Sequence, residues 1–444
     1  MSTTRRVVAF VTLALAVIPA RAAEDGFVSM FNGKDLTGWV NVNGAPGTFF
    51  VKDDMIVTTG KPTGFLRTDR HYENFILEFD WMHVPPTPTA VGNSGLFVWG
   101  DPLPAVGTPY TRGIEVQVLV NLEKENAYTS HGDLFSIWGA KCKPDRPHPM
   151  GWERCLPSER RCKGANEWNH YRVEANNGAI KLSVNGKEVS GVSECNPRKG
   201  YLALESEGSE CRFKNLKIKE LPSTNPRPDE VAELAQGFQN LFTGLTLDGW
   251  KADDEHKLHW KANDGVLNYD GQCKAKDPHL WTDKAYGDFE LQLDWRFGGK
   301  PKKMLRPVIL PDGNVALDDA GKEKMVEVLD AGDSGIYLRG SSKSQINLWC
   351  WPIGSGEIWG YRTDKSQPAD VRAAATPKER ADKPVGQWNR LKVRMLGDRA
   401  TVTLNGKTVI DNAQLPGIPP RGPLALQHHG DPVQFRSLYV RELE

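Results

Sequence analysis

The chain spells the same series of motifs twice, in the same order. FVSMFNGKDLTGW (Phe27–Trp39) returns as FQNLFTGLTLDGW (Phe238–Trp250), and NFILEFDW (Asn74–Trp81) as DFELQLDW (Asp288–Trp295). GNSGLFVWG (Gly92–Gly100) returns as GDSGIYLRG (Gly332–Gly340), and EWNHYRVEANNGAIKLSVNGKEV (Glu167–Val189) as QWNRLKVRMLGDRATVTLNGKTV (Gln387–Val409). GYLALESEG (Gly200–Gly208) returns as GPLALQHHG (Gly422–Gly430), after which FKNLKIKEL and FRSLYVREL close the two halves. Motifs kept in order over so long a span describe a duplicated domain, not a solenoid of short units. The offset between copies widens in the middle and narrows again, so the copies share strands and differ in loops. A length of 444 residues also exceeds what one core usually serves.

Each copy reads as short strands separated by turn signals. SVNGKEV and TLNGKTV carry Asn185-Gly186 and Asn405-Gly406 between alternating segments, and Asn-Gly supplies the positive φ angles of a tight hairpin. Many short strands with little helix indicate an all-β sandwich or jelly roll. The 43 Gly, 30 Pro and 14 Trp suit such a fold with an aromatic-lined cleft. Lys plus Arg equals Asp plus Glu at 56 each, which removes the electrostatic case for a nucleic-acid partner.

Residues 1–22 read as a signal peptide: Arg5 and Arg6, an apolar run from Val7 to Ile18, then Ala20-Arg21-Ala22. The run is too short to span a bilayer comfortably, and no later segment is apolar enough. A periplasmic or secreted location is therefore expected. The sandwiches are expected at 24–221 and 237–444, joined by a linker at 222–236 that ends in a short helical stretch. Seven cysteines in an exported chain permit disulfides, and their spacing matches no zinc ribbon. Cys195 and Cys211, flanking the strand Tyr201–Leu204, are one candidate pair. The loops carry the differences: Pro85–Pro88 and the Cys-rich stretch Lys141–Lys163 in the first copy, Gly298–Asp330 in the second.

Strict alternation from Gly332 to Trp351 puts Ile336, Leu338, Ile346 and Leu348 on one face. Tyr337, Arg339, Gln345, Asn347 and Trp349 take the other, a face suited to holding a sugar. In the first copy Ile114, Val116 and Val118 turn inward, while Glu115 and Gln117 point the opposite way, beside Phe97 and Trp99. Solvated outer faces are the ordinary fate of such strands.

This ordered set of motifs resembles the 3-keto-disaccharide hydrolase domain family, formerly a domain of unknown function. The resemblance implies two tandem concanavalin A-like jelly-roll β-sandwiches. It also implies cleavage of an oligosaccharide or glycoside whose sugar was first oxidised at C3 by a separate oxidoreductase. A C3 ketone acidifies the C2 proton, so one base, one donor to the enolate oxygen and one proton for the leaving group suffice. Neither copy shows the E-x-D-x-x-E strand of sandwich-fold glucanases.

His429 is the expected base, sharing a face with Gln427, because imidazoles change charge near neutral pH. Arg339 is assigned to the enolate or carbonyl oxygen, Gln345 and Asn347 to hydroxyls, and Trp349 and Tyr337 to the ring face. Asp333, and its counterpart Asn93, either bind substrate or shape a turn. In the first copy the positions of Gln427 and His429 carry Glu205 and Glu207, with Glu115 as an alternative base and Gln117 beside it. The run Lys300–Arg306 reads as a solvated loop, with a lid closing on an acidic ligand as the alternative. No metal spacing and no cofactor motif is visible. The alternatives are a non-catalytic lectin-like module and a conventional glycosidase acting on unoxidised glycans.

Overall fold

The computed structural model describes residues 26–87, 90–120 and 131–443. The expected leader at 1–22 and part of Pro85–Pro88 lie outside them. Within the described residues the protein is all-β, two sandwiches in tandem. Each half forms one two-sheet sandwich, and the only α-helices are three short ones in the second half. Among the described residues no helix is long and apolar enough to cross a membrane.

In the first sandwich a nine-stranded sheet carries Phe75–Val84 and Asn169–Asn176 near its middle. It faces a seven-stranded sheet ordered Arg154–Cys155, Leu134–Ile137, Gly113–Val120, Gly92–Gly100, Tyr201–Ser206, Gly64–Thr68 and Trp39–Val42. The second sandwich pairs an eight-stranded sheet with a five-stranded one, whose order is Trp250–Lys251, Leu280–Tyr286, Gly422–Leu426, Asp333–Leu338, Ser341–Trp349. The strands are antiparallel throughout, so one face of each sheet packs the core. Leu77, Phe79, Trp81, Val116 and Val173 fill the first core, and Leu291, Leu293, Trp295, Ile336, Leu348 and Val393 the second. Both Asn-Gly pairs hold positive φ, at 47° and 86° for Asn185-Gly186 and 50° and 84° for Asn405-Gly406, and each closes a hairpin.

Three expectations change. The linker carries one 3-10 turn, Pro228–Glu230, and is otherwise extended. Its helix is pre-empted by contacts with the first domain: Arg198 binds Glu230 at 2.9 Å, and the Ala232 N–H donates to the Lys199 carbonyl. Cys195 and Cys211 lie in one sheet with three strands between them, roughly 19 Å apart at normal strand spacing, which excludes a bridge. All seven thiols are free. The run Lys300–Arg306 is not merely a loop, because Lys302–Pro307 pairs with Met325–Asp330 as a two-stranded ribbon.

The domains pack face to back. Val42, Phe65, Phe97 and Ala203, on the outer face of the first domain's seven-stranded sheet, cluster with Tyr439 from the back sheet of the second. The Tyr439 hydroxyl donates to the Asn43 carboxamide at 2.5 Å, and Asp264 accepts from the N–H and hydroxyl of Thr63 at 2.7 and 3.1 Å. Asp294 accepts from the Gly107 N–H, whose carbonyl in turn accepts from Arg436.

Candidate active site

The face of the five-stranded sheet turned away from the core is the floor of a cavity of about 890 Å³. Tyr337, Gln345, Asn347, Trp349, Gln427 and His429 line it, as the alternation requires. Register explains the grouping. Asn347 lies opposite Gly335 across one strand pair, and Tyr337 lies opposite Ala425 across the next, which brings Gln427 alongside. Gly335 is small for a reason: a Cβ there would stand 2.6 Å from the Gln345 amide nitrogen. That nitrogen donates to the Gln427 carboxamide oxygen at 2.9 Å and to Asn347, leaving a net of three locked amides.

Asp333 and Ser334 do not form a turn. They begin the strand Asp333–Leu338, where the buried Ser334 hydroxyl donates to the Gln427 carbonyl at 3.0 Å. Asp333 opens onto the cavity, and burial pushes its carboxyl up to about 6. One of its oxygens is buried without a partner. His429 is half-exposed, with Nε2 4.0 Å from Asp333 and Nδ1 3.8 Å from Asp431. Asp431 also accepts from the Asp333 N–H at 3.0 Å, so the two carboxylates flank one imidazole. His428 is turned away, bonded through Nδ1 to the Tyr269 hydroxyl.

Arg339 is the clear correction. It is 2% exposed and lines no part of the cavity; Nη2 binds Asp288 at 2.8 Å, and the Gly287, Gly397 and Pro419 carbonyls accept its other N–H groups. The cause is local. Arg339 has φ of 49°, at a register shift after Ile336, so the side chain leaves the face that alternation assigned to it. Its counterpart Trp99, with φ of 58°, makes the same departure and donates to the Glu73 carbonyl. The positive charge in the cavity comes instead from the ribbon. Lys302, Met304 and Arg306 form its inner wall, where Arg306 binds Asp330 at 2.7 Å and lies 5.4 Å from the Trp351 ring. Trp351 stacks on Trp349 at 4.1 Å, giving a flat wall for a sugar ring.

Asp431 was missed by the sequence reading, and the ribbon cations were read as solvated loop in preference to a lid. The visible signal for Asp431 was HHGD, against SEGS (Ser206–Ser209) at the same place in the first copy. Nothing in the sequence placed the ribbon over the sheet.

The matching face of the first domain is closed. Glu115 and Gln117 are buried, and Asn93 joins them in a network that no cavity described here reaches. Asn93 bonds Glu207, and the Gln117 amide donates to the Asn93 carboxamide at 2.8 Å. Glu207 also accepts from the Tyr110 hydroxyl at 2.9 Å. Glu205 is 1% exposed with both oxygens unpartnered, and burial beside Glu115 drives its carboxyl far up. Burial raises Glu115 to about 8. The roles considered for Glu115, Gln117 and Asn93 therefore lack an open site, because the second domain's back sheet covers this half's outer face.

No group of His, Cys, Asp or Glu among the described residues has metal-binding geometry. The profile of the 3-keto-alpha-glucoside-1,2-lyase-like domain matches twice, over residues 26–219 and 237–441. No curated protein matches. Among solved structures, the chain is similar to a Parabacteroides distasonis protein titled a glycosyl hydrolase. Identity is 24%, with 45% of this chain and 95% of that one covered, at a TM-score of 0.34. A second similarity is to the carbohydrate-binding module CBM66 from Bacillus subtilis, at 14% identity, 44% and 100% coverage, and a TM-score of 0.30.

Proposed function

Because this chain belongs to the 3-keto-alpha-glucoside-1,2-lyase-like family in both of its halves, we propose that its second domain cleaves 3-keto-glucosides by elimination. The observation that carries the reading is the imidazole of His429, flanked by two carboxylates on the floor of a tryptophan-walled cavity. His429 takes the C2 proton, and the electron pair passes to the C3 oxygen as an enolate. Collapse of the enolate restores the ketone, forms C1=C2 and breaks the bond from C1 to the leaving oxygen. That oxygen takes a proton from the imidazolium or from Asp333. Water added across C1=C2 completes a net hydrolysis.

With Arg339 out of reach, the enolate oxygen is matched to amide donors. Asn347 Nδ2 is uncommitted, while the Gln427 amide donates to Gln345 and also faces the Tyr337 hydroxyl. Lys302 adds charge from above. Trp349 and Trp351 hold the ring. The substrate would be supplied by a separate sugar 3-oxidoreductase, and a cleaved leader at 1–22 would put the reaction in the periplasm or outside the cell.

Asp333 and Asp431 favour a second reading, a conventional glycosidase, since such enzymes work with two nearby carboxylates. Both are partly committed here, Asp431 to the Asp333 N–H and both to His429. The protein is incubated with a 3-keto-glucoside and with its unoxidised parent, with and without chelator, in D2O. Elimination cleaves the keto-sugar alone and leaves deuterium at C2 of the hydrated product. Cleavage of the parent alone rejects this chemistry, and binding of either without turnover leaves a lectin-like module.

A further inference from the structure

The tandem packing creates a groove that neither domain has alone. It has a volume of about 560 Å³, within the usual range of roughly 300–1,000 Å³ for ligand sites. Its floor is the back sheet of the second domain, where Gln292 of Phe289–Phe297 lies across from Lys392 of Asn389–Leu396. Its roof is the first domain's segment Asp101–Val106 with Arg112 and Trp138, and linker residues Glu233–Ala235 and Phe238 close one side.

The polar inventory of the groove is lopsided. Three wall cations are spent internally: Arg112 on Asp101, Arg390 on Asp294 and Arg441 on Glu290. Lys392 is not, having no partner among the described residues, and Arg394, two residues on along the same face, shares Glu290 only loosely, at 3.8 Å, with its side chain half-exposed. Gln292 is 4% exposed, yet its amide nitrogen has no acceptor, and the Arg441 Nε–H is likewise buried and unpaired. A buried donor left unsatisfied is unfavourable, so the groove is built short of acceptors. Glu233, on the rim, is the only wall carboxylate without a cationic partner. Trp138 stacks parallel to Tyr110 on one side and is still 52% exposed.

We propose that this groove is a second carbohydrate site, for a sugar bearing a carboxylate. The acid group would meet Lys392 and Arg394, ring hydroxyls would accept from Gln292 and Arg441, and Trp138 would cover the apolar face of the ring. The site is independent of the cavity in the second domain's five-stranded sheet and of whatever reaction occurs there.

The test uses the full chain. Methyl glucuronide, methyl glucoside and inorganic phosphate are titrated separately by saturation-transfer NMR and tryptophan fluorescence at low and high salt. The glucuronide should bind best, with an affinity that falls as salt rises. A K392A/R394A double variant should weaken it tenfold or more. Trp138→Ala should weaken it and abolish the fluorescence change, and neither variant should alter glycoside cleavage. Both alter exposed side chains, so the fold is retained. Phosphate binding as tightly as the glucuronide would overturn the assignment to a sugar. Glucuronide binding that survives these variants but is lost in Trp351→Ala would place the acid sugar in the other cavity and overturn the proposal, as would no binding at all.

Discussion

His429 lies 4.0 Å from a carboxyl whose proton is held up to about 6 by burial, and activity should carry that signature. Asp333 is ionised above that pH and neutral below it, so kcat/KM should fall as pH drops through about 6 if the carboxylate form orients the imidazole. Asp333→Asn should move this limb of the pH profile without abolishing it, since protonation of the imidazole base still stops proton abstraction. His429→Ala should lower kcat by about 10²–10⁴ while circular dichroism stays unchanged. Arg339→Ala should do the reverse. Arg339 is buried while Asp288 is one-third exposed, so losing the guanidinium and its bonds to three carbonyls costs about 1–3 kcal/mol; the denaturation midpoint should drop, and KM should not move. A selective rise in KM would return Arg339 to the site. Tyr337, Gln345, Asn347, Trp349, Gln427 and His429 were legible in the sequence because alternation alone decides which face they share. Arg339 was misplaced because one left-handed φ inverts that parity, and no residue type announced it: the same position holds Trp99 in the other copy.

At the scale of elements, the inserted segments matter most. The ribbon Lys302–Pro307 and Met325–Asp330 turns a sheet face into a walled cavity, and its charge run looked like solvated loop because hairpin pairing is not visible in KPKKMLRP. In the first domain the insertion adds an edge strand, Lys141–Pro144, to Lys187–Asn196. Lys141 pairs with Asn196 and Lys143 with Ser193, so buried Cys142 sits across from the bulge that contains Cys195. Residues directly opposite in an antiparallel pair have Cα atoms about 4.5–5.5 Å apart, inside the range a disulfide tolerates. Exposure to oxidised glutathione should therefore join Cys142 to Cys195, with two protons and two electrons passing to the glutathione disulfide. Non-reducing peptide mapping would show the linked pair; recovery of both as alkylated thiols would refute it.

Across the whole molecule, one copy keeps an open face and the other uses the equivalent face as an interface. The carboxylates left beneath it make stability depend on pH with a definite sign. Glu115 is raised from 4.5 to about 8, so the folded chain holds a proton that the unfolded chain releases. Its contribution is full below about 4.5 and is lost as pH rises toward 8. Glu205→Gln should flatten that slope and raise the melting temperature at pH 8 by a few degrees, at about 2–4 °C per kcal/mol for domains of this size. An unchanged slope between pH 5 and 8 would show that the cluster is not the cause. The duplication, the all-β sandwich of each copy and the membership of the sugar face in the second copy are all determined by sequence alone, because period-two patterning and Asn-Gly turns are local properties. Which copy remains open, where Arg339 points and what walls the cavity were decided only by the tertiary structure. The closed face depends on residues hundreds of positions apart, as when Tyr439 meets Asn43, and the Arg339 contacts and the cavity wall on residues tens of positions apart, which no local pattern encodes.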